Sequence, residues 1–307
     1  MCGALDVATA DEAACSTWVA RTFARMVEEA PQGYLARLDA DAASQALRAR
    51  LQGMCCNIAW GVLRSLKRSD FRPWGAELGM GKGEKLPSLA VELPHGGKAY
   101  LTGRIDRVDG ALLEDGEAAL RVVDYKSGLS TVKIDEIYYG LHLQLAAYLL
   151  ALEDVPAAVG QTRATPGGML YFKLGDIPFN EPRPYRMGGL ILKDAAVIRA
   201  MDTARGEKET SPVAPLSARE GQNLLGREAM DALLAYTRKK LGALAEGIAR
   251  GVSDICPSKR KGQDGCAHCA YRPLCGYDVR MRPLRMQFMP DLKQQEALEK
   301  MQQEVRG

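Results

Sequence analysis

No stretch of this sequence stays apolar for the roughly 18–20 residues that a helix needs to cross a bilayer. The opening residues, MCGALDVATADEAAC, also lack a charged run followed by an apolar one. These two absences argue against a membrane-spanning or exported protein, and the expected location is the cytoplasm. A bias of charge is missing too, since a formal net charge of +3 over 307 residues is too small to mark a nucleic-acid binder by itself. Two local clusters, Lys259 to Lys261 in SKRKG and Arg280, Arg282 and Arg285 in RMRPLR, are open to phosphate contact or to plain solvation. A phosphate-binding loop is absent. Gly221 and Gly226 have the glycine spacing, but Arg227 and Glu228 stand where Lys and Ser or Thr are required, and the surroundings read as helix. GMGKGEK lacks the spacing altogether, so no ATP binding is expected. There is no H-E-x-x-H and no serine nucleophile elbow.

What is present is globular. The chain is 47% hydrophobic and 26% charged, long enough for one large domain or two small ones and able to bury a sizeable core. Its eight cysteines do not form a secreted disulfide framework. Cys2, Cys15, Cys55 and Cys56 are scattered, whereas the others crowd towards the C-terminus. In a reducing compartment that crowding suggests a metal, above all at Cys266, Cys269 and Cys275, spaced C-x2-C-x5-C.

Residues 10 to 67 read as helical, with apolar positions at Val19, Phe23, Met26 and Val27 and again at Leu47, Leu51, Ile58, Val62, Leu63 and Leu66. Trp18, Trp60, Cys55 and Cys56 are expected to pack in that layer. Strand-like runs follow in WGAELGM, SLAVEL, KAYLTGRIDRVD and ALRVVDYKSG, with a PHGG hairpin turn between the second and third. Leu120, Val122 and Val123 predict a strand buried on both faces. A helix is expected over residues 133 to 152, with a stripe of Ile137, Leu141, Leu145 and Tyr148. MLYFKLGD reads as another strand, 177–215 as an insertion, 217–251 as a strong helix and 291–305 as a final polar helix. The expected division is an N-terminal helical region (1–70), an α/β core with a mixed sheet flanked by helices (71–255), and a cysteine-clustered segment ending in a helix (256–307).

The chemistry concentrates between Leu101 and Tyr148. Magnesium takes oxygen ligands and usually only one or two protein carboxylates, which Asp106 and Asp124 can supply. In VVDYKSG, residues two apart share a strand face, so Asp124 and Lys126 project together while Tyr125 turns away. An ammonium there can hold the attacking water and stabilise phosphate charge. Gln144 and Tyr148 are one helical turn apart, on one face. Each residue also has an ordinary explanation: Asp106 can pair with Arg104 or Arg107, an isolated D-x-K is common, and Gln144 and Tyr148 can be packing residues. The succession is much rarer than its parts.

GRIDRVD, VVDYKSG and LHLQLAAYLL resemble the nuclease motifs of the PD-(D/E)XK superfamily in its RecB-like branch. YYGLHLQ, RATPGGMLYF and CAHCAYRPLC extend the likeness to the AddB-type nuclease domains of bacterial helicase–nucleases, over roughly Phe71 to Asp278. The resemblance implies a PD-(D/E)XK fold, Asp106 and Asp124 as ligands of Mg2+ or Mn2+, Lys126 as the catalytic lysine, and Gln144 with Tyr148 as an accessory motif. It implies exonucleolytic cutting of a DNA strand, in double-strand-break repair and recombination, beside an AddA-like partner subunit. It also implies that Cys266, Cys269 and Cys275 hold a 4Fe-4S cluster with a fourth, upstream cysteine. Neither Cys2 nor Cys15 lies in a recognisable version of that upstream motif, Cys256 has the wrong context, and a zinc site completed by Cys256 or His268 stays open. Related nucleases carry a metal-binding histidine on a helix before the first strand, and none of His95, His142 and His268 occupies that place. Glu77 is a candidate to assist or a structural acid. Both gaps lie on the N-terminal side, so the chain is expected to be a fragment of a longer subunit. The competing reading is a non-catalytic DNA-binding or scaffold module that keeps the fold.

Overall fold

The computed structural model describes the chain apart from residues 1–4, 31–32, 34–36, 39, 115, 129–130, 154–163, 175–186, 207, 219–220, 222, 262, 268, 279 and 281–285. Cys2, His268, Arg282, Arg285 and the first part of the expected insertion therefore lie outside the described residues. The chain divides into two compact units, one of residues 1–78, 105–132 and 152–226, the other of 79–104, 133–151 and 227–307.

In the first unit two helices, α1 (Glu12–Glu28) and α2 (Ala42–Lys67), begin at aspartate caps. Asp11 accepts from Ala14 N and Asp41 from Ser44 N, each at 2.8 Å, which satisfies amides that a helix start leaves open and stabilises it by about 1 kcal/mol. The expected helical stretch is thus two helices. Cys15, Val19 and Leu63 are buried between them, with Trp18, Cys55, Cys56 and Trp60 packed against that cluster, as the apolar spacing predicted.

The central sheet has six strands: β1 (Arg72–Met80), β4 (Gly103–Leu112), β5 (Ala118–Lys126), β6 (Ala164–Lys173), β7 (Gly188–Leu192) and β8 (Leu224–Leu225). They lie side by side in that same order. β4 and β5 are antiparallel, β5 and β6 parallel, β6 and β7 antiparallel, and β7 and β8 parallel. The sheet is therefore mixed, as expected. From Ala118 to Asp124 every residue of β5 is buried, the pattern of a strand covered on both faces. Within the span 177–215 the described residues carry β7 and α5 (Ala195–Met201), and β7 lies between β6 and β8. Gly189 has φ 141°, and a Cβ there would sit 2.2 Å from the Met169 carbonyl oxygen, so only glycine lets β7 come this close to β6.

The second unit holds the hairpin of β2 (Leu89–Glu92) and β3 (Lys98–Leu101), α3 (Ile134–Tyr138), α4 (Gln144–Glu153), α6 (Arg227–Ala249) and α8 (Gln294–Arg306). A small sheet of β9 (Ser258–Arg260), β10 (Gln263–Asp264) and β11 (Gln287–Phe288) flanks the short α7 (Arg272–Cys275). Two expectations are corrected here. The helix over 133–152 is broken into α3 and α4, because Gly140 (φ 83°) and His142 (φ 52°) adopt left-handed backbone that a continuous helix cannot contain. The helix expected from 217 begins at Arg227, because Leu224 and Leu225 pair with β7. On α6, a Cβ at Gly242 would meet the Glu92 carbonyl oxygen at 2.2 Å, so the missing side chain is what seats the helix on the hairpin. Arg260 joins α3 to the small sheet, forking onto Asp135 and Glu136 and reaching Asp291 at 3.1 Å.

Candidate active site

The pairing of β4 with β5 decides which side chains can act together. Arg107 lies opposite Val123 and Asp109 opposite Arg121, so one step beyond, Asp106 falls opposite Asp124. Alternation along a strand then puts Asp106, Asp124 and Lys126 on one face and Arg107, Asp109, Arg121 and Tyr125 on the other. Arg107 is therefore not the partner of Asp106. Instead Arg107 forks onto Asp109 at 2.6 and 2.7 Å, and Arg121 donates to the same carboxylate at 2.9 Å.

Asp106 is half-buried and accepts a hydrogen bond from the Tyr125 main-chain N–H at 2.9 Å. The regular ladder between the strands ends at Arg107 and Val123, and this carboxylate takes over at its end. Asp124 is almost wholly buried, at 2% exposure. Lys126 Nζ lies 2.8 Å from its buried Oδ2, an ion pair across the shared face. Burial pushes the Asp124 carboxyl above the usual carboxylate range, Lys126 opposes that, and Asp106 adds to it. Burial also pulls Lys126 down, but Asp124, Tyr171 and Asp106 outweigh it and hold the ammonium above the ordinary lysine range. Lys126 is therefore a cation here and not a base. Tyr171 stands beside Asp124 on β6, and its ring is 5.8 Å from Nζ, within cation–π reach.

A family model of the PD-(D/E)XK nuclease superfamily matches residues 4–276 of this chain. The chain belongs to that superfamily. Like other PD-(D/E)XK proteins it has an α/β mixed sheet flanked by helices. It is 36% identical over 278 residues to the AddB-type subunit of an ATP-dependent helicase/deoxyribonuclease from Acetivibrio thermocellus, a match covering 84% of this chain and 24% of that protein. The corresponding subunit of Caldanaerobacter subterraneus is 32% identical over 291 residues, 89% of this chain and 24% of its own length. That of Clostridium novyi is 30% identical over 308 residues, 94% and 27%. The chain thus spans about a quarter of the relatives it matches.

The fit of a divalent ion to this PD-(D/E)XK site can be judged from the donors. Among the described residues no three His, Cys, Asp or Glu side chains converge as a metal site. Magnesium does not require three, since water and phosphate oxygens complete its shell. Two carboxylates on one face, one of them buried, fit such an ion. Glu77 is exposed on β1, the neighbour of β4, and has φ 51°, a left-handed conformation that costs a non-glycine residue about 1 kcal/mol.

Gln144 and Tyr148 belong to the second unit. Gln144 Nε2 donates to Tyr148 Oη at 3.2 Å, one turn apart on α4, and the Tyr148 ring lies against Gly103. Cys266, Cys269 and Cys275 follow one another through short turns, Cys269 N donating to Cys266 O and Cys275 N to Tyr271 O. Cys266 is half-buried and the other two are exposed, as is Cys256. The donor chemistry suits iron or zinc, but among the described residues the thiols do not gather into a ligand set, and His268 lies outside those residues. No helix among the described residues is long and apolar enough to cross a membrane. Sequence reasoning missed the Arg107–Asp109–Arg121 group, whose signal was there: charged residues at a spacing of two inside two otherwise apolar strands.

Proposed function

We propose that this chain is a DNA nuclease domain that hydrolyses phosphodiester bonds with a divalent ion, Mg2+ or Mn2+, within a helicase–nuclease subunit. The observation that carries the reading is the shared face of Asp106, Asp124 and Lys126, with the Asp124 carboxylate buried and ion-paired to Lys126. When bound, a divalent ion supplies a more acidic water and neutralises phosphate charge. Asp106 and Asp124 present the carboxylate oxygens that hold it. Lys126, charged and about one-third exposed, orients the water and offsets charge growing on the phosphate oxygens. Tyr125 faces the other side of the strand.

Gln144 and Tyr148 take the accessory role, fixing each other on α4 for contact with water or the nucleic-acid backbone. In this reading Cys266, Cys269 and Cys275 serve a 4Fe-4S cluster that is structural, and iron and sulfide in the purified protein are its test; stoichiometric zinc in a colourless protein assigns the thiols to zinc. The relatives' names support DNA as substrate and a helicase partner subunit. The reading adds exonucleolytic processing of broken DNA, in repair and recombination, with the cytoplasm as location.

The deciding experiment is cleavage of linear DNA with added magnesium or manganese. Cutting by the unaltered chain, with Asp124→Ala and Lys126→Ala at background, is the expected result. Undiminished cutting by both variants overturns the site, and DNA binding without cutting by the unaltered chain supports a scaffold role.

A further inference from the structure

The far face of β4 and β5 carries a buried group of three charges that the proposed chemistry does not use. Arg121 is fully buried and Asp109 likewise. Asp109 receives the fork of Arg107 and the Nε of Arg121, which leaves two guanidiniums on one carboxylate. The excess charge of Arg121 is met by weaker partners: its guanidinium stacks 4.6 Å from the Phe71 ring, Nη1 lies 3.2 Å from Met201 Sδ, and Nη2 has no hydrogen-bond partner. Buried groups of this kind gain little stability over apolar residues of the same volume, and their best-attested use is to fix register. Register matters here because a slip of one residue would carry Asp106 to the face now held by Arg107.

A chain of contacts runs from this group to the site. The third donor of Arg107, Nη1, reaches the Tyr125 hydroxyl at 3.4 Å. The Tyr125 ring packs on Phe172 with centroids 5.6 Å apart. The Tyr125 N–H holds Asp106 Oδ2, which occupies one carboxylate oxygen and leaves Oδ1 to face a metal. We propose that Tyr125, the residue between Asp124 and Lys126, is a positioning residue for Asp106, tethered from the opposite face by Arg107. The inference rests on the metal site proposed above. Partners of ligands characteristically shift metal affinity by about ten-fold or more when removed.

The test measures Mn2+ binding to the whole chain without DNA, by electron paramagnetic resonance and calorimetry, together with unfolding midpoints. Tyr125→Phe deletes only the hydroxyl, and Arg107→Lys keeps the charge but loses the fork and the tether. The expected result is weaker Mn2+ binding, about ten-fold for Arg107→Lys and about three-fold for Tyr125→Phe, at temperatures where circular dichroism shows both variants folded. Cleavage by both recovers at saturating metal, with the KM for DNA unchanged. A merely structural role would lower the midpoint and leave the affinity of the folded protein alone. If both variants bind Mn2+ within two-fold of the unaltered chain while Asp106→Ala loses binding, the site stands and the positioning role is overturned. If Asp106→Ala and Asp124→Ala also bind normally, the site itself is wrong and this inference falls with it.

Discussion

Asp124 and its neighbours show how one residue can serve chemistry against stability. Its folded carboxyl is raised by burial despite Lys126, so the ionised form is disfavoured by folding. The unfolded chain gives up this proton near pH 4 and the folded chain at higher pH, so the destabilisation grows as pH rises from the first value through the second. Asp124→Asn should therefore raise the unfolding midpoint at pH 7 by about 2 °C or more, the equivalent of roughly 1 kcal/mol in a chain of this size. The same variant should lose cleavage, and its gain in stability should vanish below about pH 4. Calorimetric melts across that range check it. Asp109 has the opposite prospect, since Asp109→Asn strips the counter-charge from two buried guanidiniums and should cost about 3–5 kcal/mol, read from urea midpoints. Residue types at the active face were legible in the sequence because a spacing of two on a strand fixes the face. The partners of Arg107 were less so, because the same short sequence offers it Asp106 on one side and Asp109 two places away. Alternation along β4 favours Asp109, and the pairing of β4 with β5 adds Arg121, which the sequence of β4 does not contain.

At the scale of elements, strands were easier to foresee than helix limits. ALRVVDYK announces a buried strand by composition alone, whereas the break between α3 and α4 depends on backbone conformation at Gly140 and His142. The apolar stripe Ile137, Leu141, Leu145 runs on through that break, so periodicity could not reveal it. Similarly, Leu224 and Leu225 fit a helical pattern but are taken by β7. Two glycines of α6 give a paired test of how the helix is seated. Gly242→Ala places a methyl group against the Glu92 carbonyl and should cost about 1–3 kcal/mol. Gly247 has open space around its Cβ position, and Gly247→Ala should gain about 0.5–1 kcal/mol from helix propensity. Urea unfolding of the two variants should move in opposite directions.

For the whole molecule, acid is the informative stress. Burial alone would raise Asp109 and Glu136, but Arg121 and Arg107 outweigh it at the first, and Lys133, His142 and Arg260 at the second, so both carboxyls lie below their ordinary ranges. The sign follows directly: stability from these groups is present above the unfolded values of about 4 and is lost as pH falls through the lower folded values. Stability of the chain should drop below about pH 4, and Glu136→Gln should flatten that fall while lowering stability at pH 7. The mixed sheet and the superfamily motifs were visible in the sequence, because both rest on local patterns. Of the pairs that set this acid response, those of Asp109 with Arg107 and Arg121 are local and carry a strand-spacing signal, whereas the pair of Glu136 with Arg260 joins residues 124 positions apart and no local pattern announces it.

The buried carboxylate of Asp124 is also an instance of local frustration, a place where the folding landscape and the reaction ask for different residues. Selection for heat resistance alone, applied to a library of this chain, should let position 124 drift to neutral side chains, while selection for DNA cutting should hold it as aspartate. The contrast between two such mutational scans would mark the active face without any assay of an individual variant.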